Sequence, residues 1–185
     1  MDEVNRLRKL YELKKIYRKA FVGDRHESSA EHSWSCLILA DYFLEKMDLG
    51  IDKLKVFELL IYHDVVEIEA GDVPIHFEKE RKEKEKKELE AMHKLKKLIP
   101  KELGGKFESL FVEFEERKSL ESRFAKAIDG LDALIHELDY KDDWKGWDEV
   151  MVRKFYEHMF LEFPEIHDVF ERIVKFVKEN GYFGQ

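Results

Sequence analysis

The sequence contains few of the residues that build disulfide frameworks and interrupt regular structure. There is one cysteine, Cys36, among 185 residues, so no disulfide can form within the chain. A lone cysteine in an apolar segment favours a reducing compartment. The opening "MDEVNRLRKL" is charged and does not resemble a signal peptide. These features predict a cytoplasmic protein. Three prolines, nine glycines and many Lys and Glu residues form a composition typical of hyperthermophilic proteins.

Long apolar runs and an excess of positive charge are also absent. No apolar run approaches the ~20 residues that a membrane-spanning helix requires, so no membrane partner is expected. The chain has 33 Lys and Arg residues against 41 Asp and Glu residues, which gives a formal net charge of −8. Proteins that bind duplex nucleic acid depend on cations that neutralise phosphates, so this chain is a poor candidate for that class. Its length suits one domain, residues 1–185, with a core that needs no disulfides.

Apolar residues recur at helical spacing along nearly the whole chain, which predicts an all-α bundle without strands. One predicted helix follows the N-cap candidates Ser28 and Ser29. Its segment "SWSCLILADYFLEKM" is apolar on almost every side, so this helix, including Trp34, is expected in the core. The charged segment ending at Pro100 predicts a solvated helix with many ion pairs. The other predicted helices cover residues 3–19, 52–68, 101–117, 119–140, 147–161 and 165–180.

The segment "LLIYHDVVEIEAGDVP" places four ionisable groups within an apolar helical pattern. His63 and Asp64 interrupt the apolar run, Glu67 follows one turn later, and Asp72 comes after Gly71, which is expected to end the helix. Burying such groups without partners costs several kcal/mol. They are therefore either hydrogen-bonded to each other or bound to a metal.

Two further groups extend this array. His32 lies at the start of the buried second helix, and Asp129 interrupts the core face of "FAKAIDGLDALIHELDY". Two imidazoles and two carboxylates from three helices match the mixed nitrogen and oxygen coordination of Mn, Fe, Co, Ni or Zn. Helix bundles commonly hold such sites.

The ordered residues "AEHS…YHDVVEIEAGDVP…KAIDGLD" resemble the HD-domain metal-dependent phosphohydrolases, over roughly residues 10–140. Within that superfamily, HDxxExxxGDxP is similar to the branch of small 5′-deoxynucleotidases. The resemblance implies that one divalent metal (Mn, Co, Fe, Ni, Zn or Mg) is held by the side chains of His32, His63, Asp64 and Asp129. The core of the metal site then spans about residues 25–140, and the C-terminal helices, 147–180, serve packing or dimerisation.

The resemblance also implies roles for residues around the metal. Glu67 and Asp72 match the catalytic acidic residues of the family, and Arg18 matches an arginine that contacts the substrate phosphate. Arg25, in "RxExxxEH", is a second phosphate candidate. Bacterial members carry a tryptophan soon after the upstream arginine, where it helps to exclude a ribose 2′-hydroxyl. This chain departs from that pattern, and Phe21 is the substitute candidate.

Two more residues are predicted substrate contacts because of where they fall in the sequence. His76 lies just past the motif in "DVPIHF", and Asp132 is one helical turn from Asp129. In the implied reaction, Glu67 orients or deprotonates the attacking water, and Asp72 protonates the departing 5′-oxygen. The reverse assignment of these two roles is the alternative.

The implied function is metal-dependent hydrolysis of nucleoside 5′-monophosphates, with 5′-deoxyribonucleotides preferred, by a homodimer. One alternative is an HD phosphohydrolase that acts on a dNTP, on ppGpp or on a cyclic nucleotide, since the metal ligands are common to these enzymes. The short chain and the GDxP continuation favour the monophosphatase. Another alternative is a non-catalytic helical scaffold that senses nucleotides. The presence of both Glu67 and Asp72 argues against it.

Overall fold

The computed structural model describes residues 1–72 and 78–184, with side chains described outside residues 78–85. These residues are mainly helical, and their strands form a two-stranded antiparallel sheet near the N-terminus. The predicted all-α class is therefore confirmed. The elements are α1 Asp2–Leu10, β1 Tyr17–Val22, β2 Arg25–Ser28, α2 Ser29–Lys46, α3 Lys53–Tyr62, α4 Glu67–Ala70, α5 Glu78–Leu98, α6 Lys101–Glu116, α7 Leu120–His136, α8 Glu149–Val152, α9 His158–Phe160 and α10 Pro164–Glu179. No helix in the described ranges is long and apolar enough to cross a membrane.

Side-chain caps begin several of these helices at the residues that the sequence indicates. Ser28 caps α2 by accepting a hydrogen bond from the Glu31 amide, and the Glu31 side chain accepts one from the Ser28 amide. This reciprocal arrangement is a capping box. The Asp52 side chain caps α3 in the same way, by accepting from the Lys55 amide. The first turn of α2, which carries His32, is thus fixed by local chemistry.

The hairpin formed by β1 and β2 corrects the prediction of an uninterrupted helix over residues 3–19 and of no strands. The helix ends at Leu10, a 3₁₀ segment follows at Tyr11–Lys15, and the chain then becomes extended. Gly23, with φ of +63°, lies in the two-residue turn. Tyr17 pairs with Ser28 and Phe21 with His26, and the register shifts between these pairs.

The buried apolar side chains form two clusters. The larger one joins α2, α3, α7 and α10, and includes Phe43, Leu59, Phe124 and Phe170. The smaller one packs α5 and α6 against the turn that follows α3. Tyr62, the last residue of α3, contacts both clusters. The end of α3 therefore lies where the two clusters meet.

One face of α2 differs from the prediction. Trp34, Ile38 and Tyr42 are spaced four residues apart and are 65%, 56% and 55% exposed. The opposite face, with Cys36, Ala40 and Phe43, is buried. The expectation that Trp34 lies in the core is wrong, because α3 and α7 cover only one side of this nearly all-apolar helix.

Candidate active site

Three mutually packed helices supply the four side chains that the sequence predicts as metal ligands. His32 lies in the first turn of α2, His63 and Asp64 follow directly after α3, and Asp129 lies in the middle of α7. The predicted helix over residues 52–68 is interrupted at this point. The amide of Glu67 donates to the carbonyl oxygen of Asp64 at 2.9 Å. This bond spans three residues instead of the four of an α-helix, so the chain turns more tightly between α3 and α4.

The atoms of this ligand cluster converge on a small volume. His32 Nε2 lies 3.0 Å from Asp129 Oδ1 and 4.0 Å from Asp64 Oδ2. His63 Nε2 lies 3.2 Å from Asp64 Oδ1 and 3.9 Å from Asp129 Oδ1. Two ligand atoms that are each about 2.1 Å from one ion are separated by roughly 3–4 Å, depending on the angle at the ion. His32, His63 and Asp129 thus offer atoms at ligand spacing around one ion, and so does the neighbouring Cys36. Asp64 borders this set through its two oxygens.

The second nitrogen of each imidazole has a hydrogen-bond acceptor. His63 Nδ1 donates to the carbonyl oxygen of Leu60 at 2.8 Å, and His32 Nδ1 donates to Asp132 Oδ2 at 2.9 Å. A proton on Nδ1 leaves the Nε2 lone pair free for a metal in the neutral ring. Asp132, a predicted substrate contact, therefore lies buried behind a ligand histidine, where it also accepts a hydrogen bond from Ser35.

Two atoms of the cluster test whether a metal fits. His63 Nε2 and Asp64 Oδ2 are fully buried, and neither has a hydrogen-bond partner among the described residues. Leaving such atoms unsatisfied costs about 1–3 kcal/mol each. Both point into the ligand cluster, where a divalent cation would satisfy them. The donor set of two imidazoles and two carboxylates fits that cation.

The protonation states of the carboxylates also suit a cation. Burial alone would raise the pKa of Asp64, but the neighbouring His63, His32 and Arg18 lower it. Burial opposes the ionisation of Asp129 as well, yet Lys126 and the two histidines hold its pKa well below the usual range. Despite its burial, hydrogen bonds to Asp129 and Asp132 raise the pKa of His32 well above its usual range, so the charge of His32 contributes to the ionisation of both carboxylates. A bound metal would replace that charge, and the ionised carboxylate is the form that binds metal.

Cys36 and Lys126 contact the ligand cluster, although the sequence analysis assigned them no role there. Lys126 Nζ lies 2.7 Å from Asp129 Oδ2, so it occupies the oxygen that does not face His32. Cys36 Sγ lies 3.6 Å from His32 Nε2. Burial raises the pKa of this thiol to about 12, which keeps it protonated. The spacing of Lys126 from Asp129, one turn of helix, was the available signal.

The two predicted catalytic carboxylates lie beside the cluster on α4 and just after it. Glu67 is buried and accepts a hydrogen bond from Ser29 Oγ at 2.7 Å. Burial raises its pKa well above the usual range, and the charges of Asp64 and Asp72 raise it further. Asp72 is half-buried after Gly71, which ends α4 with φ of +75°. The turn thus brings Asp72 within electrostatic range of Glu67.

Arg18 reaches the cluster from β1. Its Nη1 lies 3.6 Å from Asp64 Oδ2, and its Nε lies 3.3 Å from Glu27 Oε2 on β2. Burial opposes its charge, but Asp64, Asp129 and Asp72 raise its pKa, so the guanidinium stays charged. Arg18 is thus a half-buried cation placed next to a predicted metal ligand. Glu27 is the first glutamate of the stretch RxExxxEH, in which only the arginine was predicted to have a role, because the partners of Glu27 come together only when the hairpin forms.

Three other predicted substrate contacts are placed differently. Arg25 forms a two-pronged ion pair with Glu31, at 2.5 and 2.9 Å on the protein surface, which occupies its guanidinium. Phe21 packs against the ring of His26, with centroids 4.4 Å apart, and borders a cavity of about 450 Å³ with Tyr140. His76 falls outside the described residues.

A second group of ligand-type side chains, Glu157, His167 and Glu171, lies near the C-terminus. Arg153 Nη1 lies between the two carboxylates, 2.8 Å from Glu157 and 2.6 Å from Glu171. This arginine already neutralises the carboxylates, so the group is an ion-pair network.

Comparison with protein families gives an HD-domain match over residues 10–171. Three similar relatives carry the name 5′-deoxynucleotidase. HDDC2 of Bos taurus is 29% identical over 139 residues, which cover 74% of this chain and 66% of the relative. HDDC2 of Homo sapiens is 27% identical over 139 residues, covering 74% and 67%. The protein hdd1 of Schizosaccharomyces pombe is 29% identical over 127 residues, covering 66% and 63%. The chain spans about two thirds of the length of these relatives.

Solved structures agree with this match. The crystal structure of a predicted metal-dependent phosphohydrolase from Magnetospirillum magnetotacticum has a TM-score of 0.89 and 28% identity, and the superposition covers 100% of this chain and 95% of that one. A conserved hypothetical protein from Pyrococcus furiosus has a TM-score of 0.67 at 22% identity, over 93% of this chain and 99% of that one. The second likeness concerns the fold alone.

Proposed function

The chain belongs to the HD-domain family, and we propose that it is a metal-dependent phosphohydrolase that releases phosphate from nucleoside 5′-monophosphates. One observation carries this proposal: the atoms of His32, His63, Asp64 and Asp129 converge within 3.0–4.0 Å contacts. A guanidinium, Arg18, lies beside them. Cations next to a metal site suit a phosphate ester, whose negative charge they neutralise.

Arg18 would hold the phosphate group of the substrate. Its Nη atoms can donate two parallel hydrogen bonds to phosphate oxygens, which fixes orientation as well as charge. When bound to the four ligands, a divalent ion supplies a water of lowered pKa and polarises a phosphate oxygen. Arg18 is half-buried, with 19% of its side chain exposed, so less solvent competes for its charge than at an open surface.

Glu67 and Asp72 would move the protons of the reaction. Glu67, held by Ser29 Oγ, lies next to Asp64 and is suited to orient and deprotonate the attacking water. Asp72 would then donate a proton to the departing 5′-oxygen. The raised pKa of Glu67 equally suits a proton donor, so the reverse assignment stays open to experiment.

We propose that deoxyribonucleotides are the preferred substrates. Support comes from the relatives named 5′-deoxynucleotidases, which are 24–29% identical to this chain. Phe21, the candidate for a sugar contact, packs on His26, so the support for this preference comes from the relatives.

The experiment that tests the function measures phosphate release from dNMPs, NMPs and dNTPs. Chelated protein would be reloaded with Mn²⁺, Co²⁺ or Mg²⁺, and the Asp64→Ala variant would be the control. We expect release from dNMPs, absent in the control. Equal release from NMPs would support phosphatase activity and contradict the preference for deoxyribonucleotides. Metal binding without turnover of any nucleotide would favour the non-catalytic scaffold.

We also propose that two copies of the chain form a homodimer. The C-terminal helices, 147–180, are the interface of this dimer that the sequence predicts. The exposed face of α2 that carries Trp34, Ile38 and Tyr42 offers another apolar surface, and large exposed apolar patches commonly mark protein contacts. A two-fold dimer would pair this face with itself.

Light scattering after size-exclusion chromatography tests the dimer. Ile38→Glu would break an interface on α2, and Leu161→Glu, at a residue that is 65% exposed near the C-terminal helices, is the matched control for the other surface. We expect a dimer that only Ile38→Glu converts to a monomer. Dissociation by Leu161→Glu alone would move the interface to the C-terminal helices, and a monomeric wild type would contradict the proposal.

A further inference from the structure

A buried carboxylate lies behind the proposed phosphate-binding arginine. Tyr17 pairs with Ser28 across the hairpin, and the register shifts between this pair and the pair of Phe21 with His26. Arg18 and Glu27 are the residues next to the first pair on the two strands. Side chains opposite each other on one face of an antiparallel pair are close neighbours. The result is an Nε–Oε2 distance of 3.3 Å, with Glu27 only 4% exposed.

Helix α7 borders Glu27 from the other side. His136, at the end of α7, lies with Nδ1 3.6 Å from Glu27 Oε1. Its other nitrogen, Nε2, is 2.7 Å from the carbonyl oxygen of Phe21. A carbonyl only accepts, so Nε2 carries a proton and donates it. Glu27 therefore lies between a fixed imidazole and a guanidinium.

A second contact fastens the same hairpin to the residues after α7. The amide of Gly23, in the hairpin turn, donates to the Tyr140 hydroxyl at 2.9 Å, and the Tyr140 ring stacks on His136. Helix α7 also carries Asp129, two turns before His136. One rigid helix thus fixes both a candidate metal ligand and the hairpin that carries Arg18.

We propose that Glu27 is a positioning residue: its carboxylate fixes the Arg18 guanidinium beside Asp64, so that the guanidinium is oriented for the substrate phosphate. This inference rests on the proposed function, because it gives Arg18 a phosphate to bind. Glu27 itself touches no reacting atom. A fixed guanidinium loses less freedom on binding phosphate than a mobile one, so its partner contributes to phosphate affinity and to turnover.

The rival explanation is that Glu27 only stabilises the hairpin. The two explanations differ in one respect: a positioning residue acts through Arg18, so its effect disappears when Arg18 is removed. A double-mutant cycle with Glu27→Gln and Arg18→Met measures this coupling. Asp24→Asn is the matched control, since it changes a carboxylate to an amide on the exposed turn of the same hairpin.

We expect Glu27→Gln to lower kcat/KM by roughly 10-fold, since Arg18 and Glu27 form an ion pair rather than a hydrogen bond. In the Arg18→Met background it should cause no further loss. Mn²⁺ affinity and melting temperature should match those of Asp24→Asn. An equal loss in both backgrounds, or a Glu27→Gln enzyme as active as Asp24→Asn, would overturn the proposal. If Glu27→Gln does not fold, Glu27→Asp, which keeps the charge and withdraws the carboxylate from Arg18, takes its place in the same cycle with the same expectations.

Titration of the Mn²⁺-loaded protein with orthophosphate separates this inference from the proposed function. If wild type hydrolyses no nucleotide, the proposed function fails. Phosphate binding that depends on Arg18 and weakens in Glu27→Gln would still support the positioning role. Phosphate binding that is absent in wild type, or unaffected by Glu27→Gln, would overturn it.

Discussion

The environment of Glu67 shows how neighbouring charges set the chemistry of one residue. Burial has the largest effect on its pKa and raises it, and the carboxylates of Asp64 and Asp72 add to that rise. A negative neighbour disfavours a second negative charge, so removing the neighbour lowers the pKa. Glu67 therefore keeps its proton at pH values where an exposed glutamate is already ionised.

This reasoning predicts the pH dependence of kcat/KM. Glu67→Gln should lower kcat/KM by roughly 10²- to 10⁴-fold and abolish one limb of the profile. Asp72→Asn should move the limb that belongs to Glu67 towards lower pH, because the pKa of Glu67 falls when the Asp72 charge is removed. Loss of the acidic limb in Glu67→Gln identifies a base, and loss of the alkaline limb identifies an acid.

Glu69→Gln is the control for that experiment. Glu69 lies on the same short helix but pairs with Lys9 and Lys94, away from the ligand cluster. Its replacement should leave the shape of the profile unchanged. Profiles that keep both limbs in Glu67→Gln and Asp72→Asn would rule out proton transfer by either carboxylate.

For single residues, the sequence predicts which side chains belong to the candidate site better than it predicts which side chains contact each other there. His32, His63, Asp64 and Asp129 were chosen because ionisable groups interrupt apolar helices, and the structure brings them together. Ser29 and Glu27 do not interrupt an apolar helical pattern, although Glu27 is part of the stretch RxExxxEH. Each contacts a residue that is close in space only after the hairpin and α4 have formed, so local periodicity gave no signal.

At the scale of elements, the hairpin shows where periodicity misleads. The segment Tyr17–Val22 has alternating exposure, and Gly23 and Asp24 form a two-residue turn before β2. Aromatic and β-branched residues around such a turn are a hairpin signal. The apolar residues at the start of β1 continue the spacing of the amphipathic helix α1, so the predicted helix extends into the strand. Caps at Ser28 and Asp52 were predictable because their chemistry is local.

The capping box of α2 gives a prediction about stability. Ser28→Ala removes the acceptor of the Glu31 amide, which should cost about 1 kcal/mol. For a chain of this size, that loss lowers the melting temperature by about 2–4 °C. Ser109→Ala, at an exposed position on α6, is the matched control and should cause no decrease. Equal melting temperatures for the two variants would contradict the role of the cap.

Glu31 adds a pH dependence to the same element. Hydrogen bonds from Arg25 and Ser28 lower its pKa from 4.5 to about 2. A lowered pKa in the folded state stabilises the protein above the unfolded value, and this contribution is lost as the pH falls through the folded value. Wild type should therefore exceed Glu31→Gln in melting temperature above pH 4.5, and the difference should vanish towards pH 2. The ion pair is exposed, so the difference should be small and should shrink with salt. A difference that stays constant from neutral pH to pH 2 would show that this ionisation contributes nothing.

At the scale of the molecule, the helices that carry the ligands also build the larger core. Buried side chains of α2, α3, α7 and α10 form one cluster, so these helices are expected to unfold together. The ligand cluster joins three of them at a single point, where His63 Nε2 and Asp64 Oδ2 lack partners among the described residues. Composition and periodicity predict that such a bundle forms. They do not predict which faces stay exposed, because that depends on how the helices cross.

This arrangement predicts that a divalent metal stabilises the whole fold. An ion that binds only the folded state at 100 times its dissociation constant adds about 2.7 kcal/mol, or roughly 5–11 °C in melting temperature. Chelated protein should therefore melt lower than protein with excess Mn²⁺, in a concentration-dependent manner. Asp64→Ala should lose this response, whereas Asp142→Asn, an exposed carboxylate after α7, should keep it. A response that persists in Asp64→Ala would show that Asp64 is not needed to hold the stabilising ion.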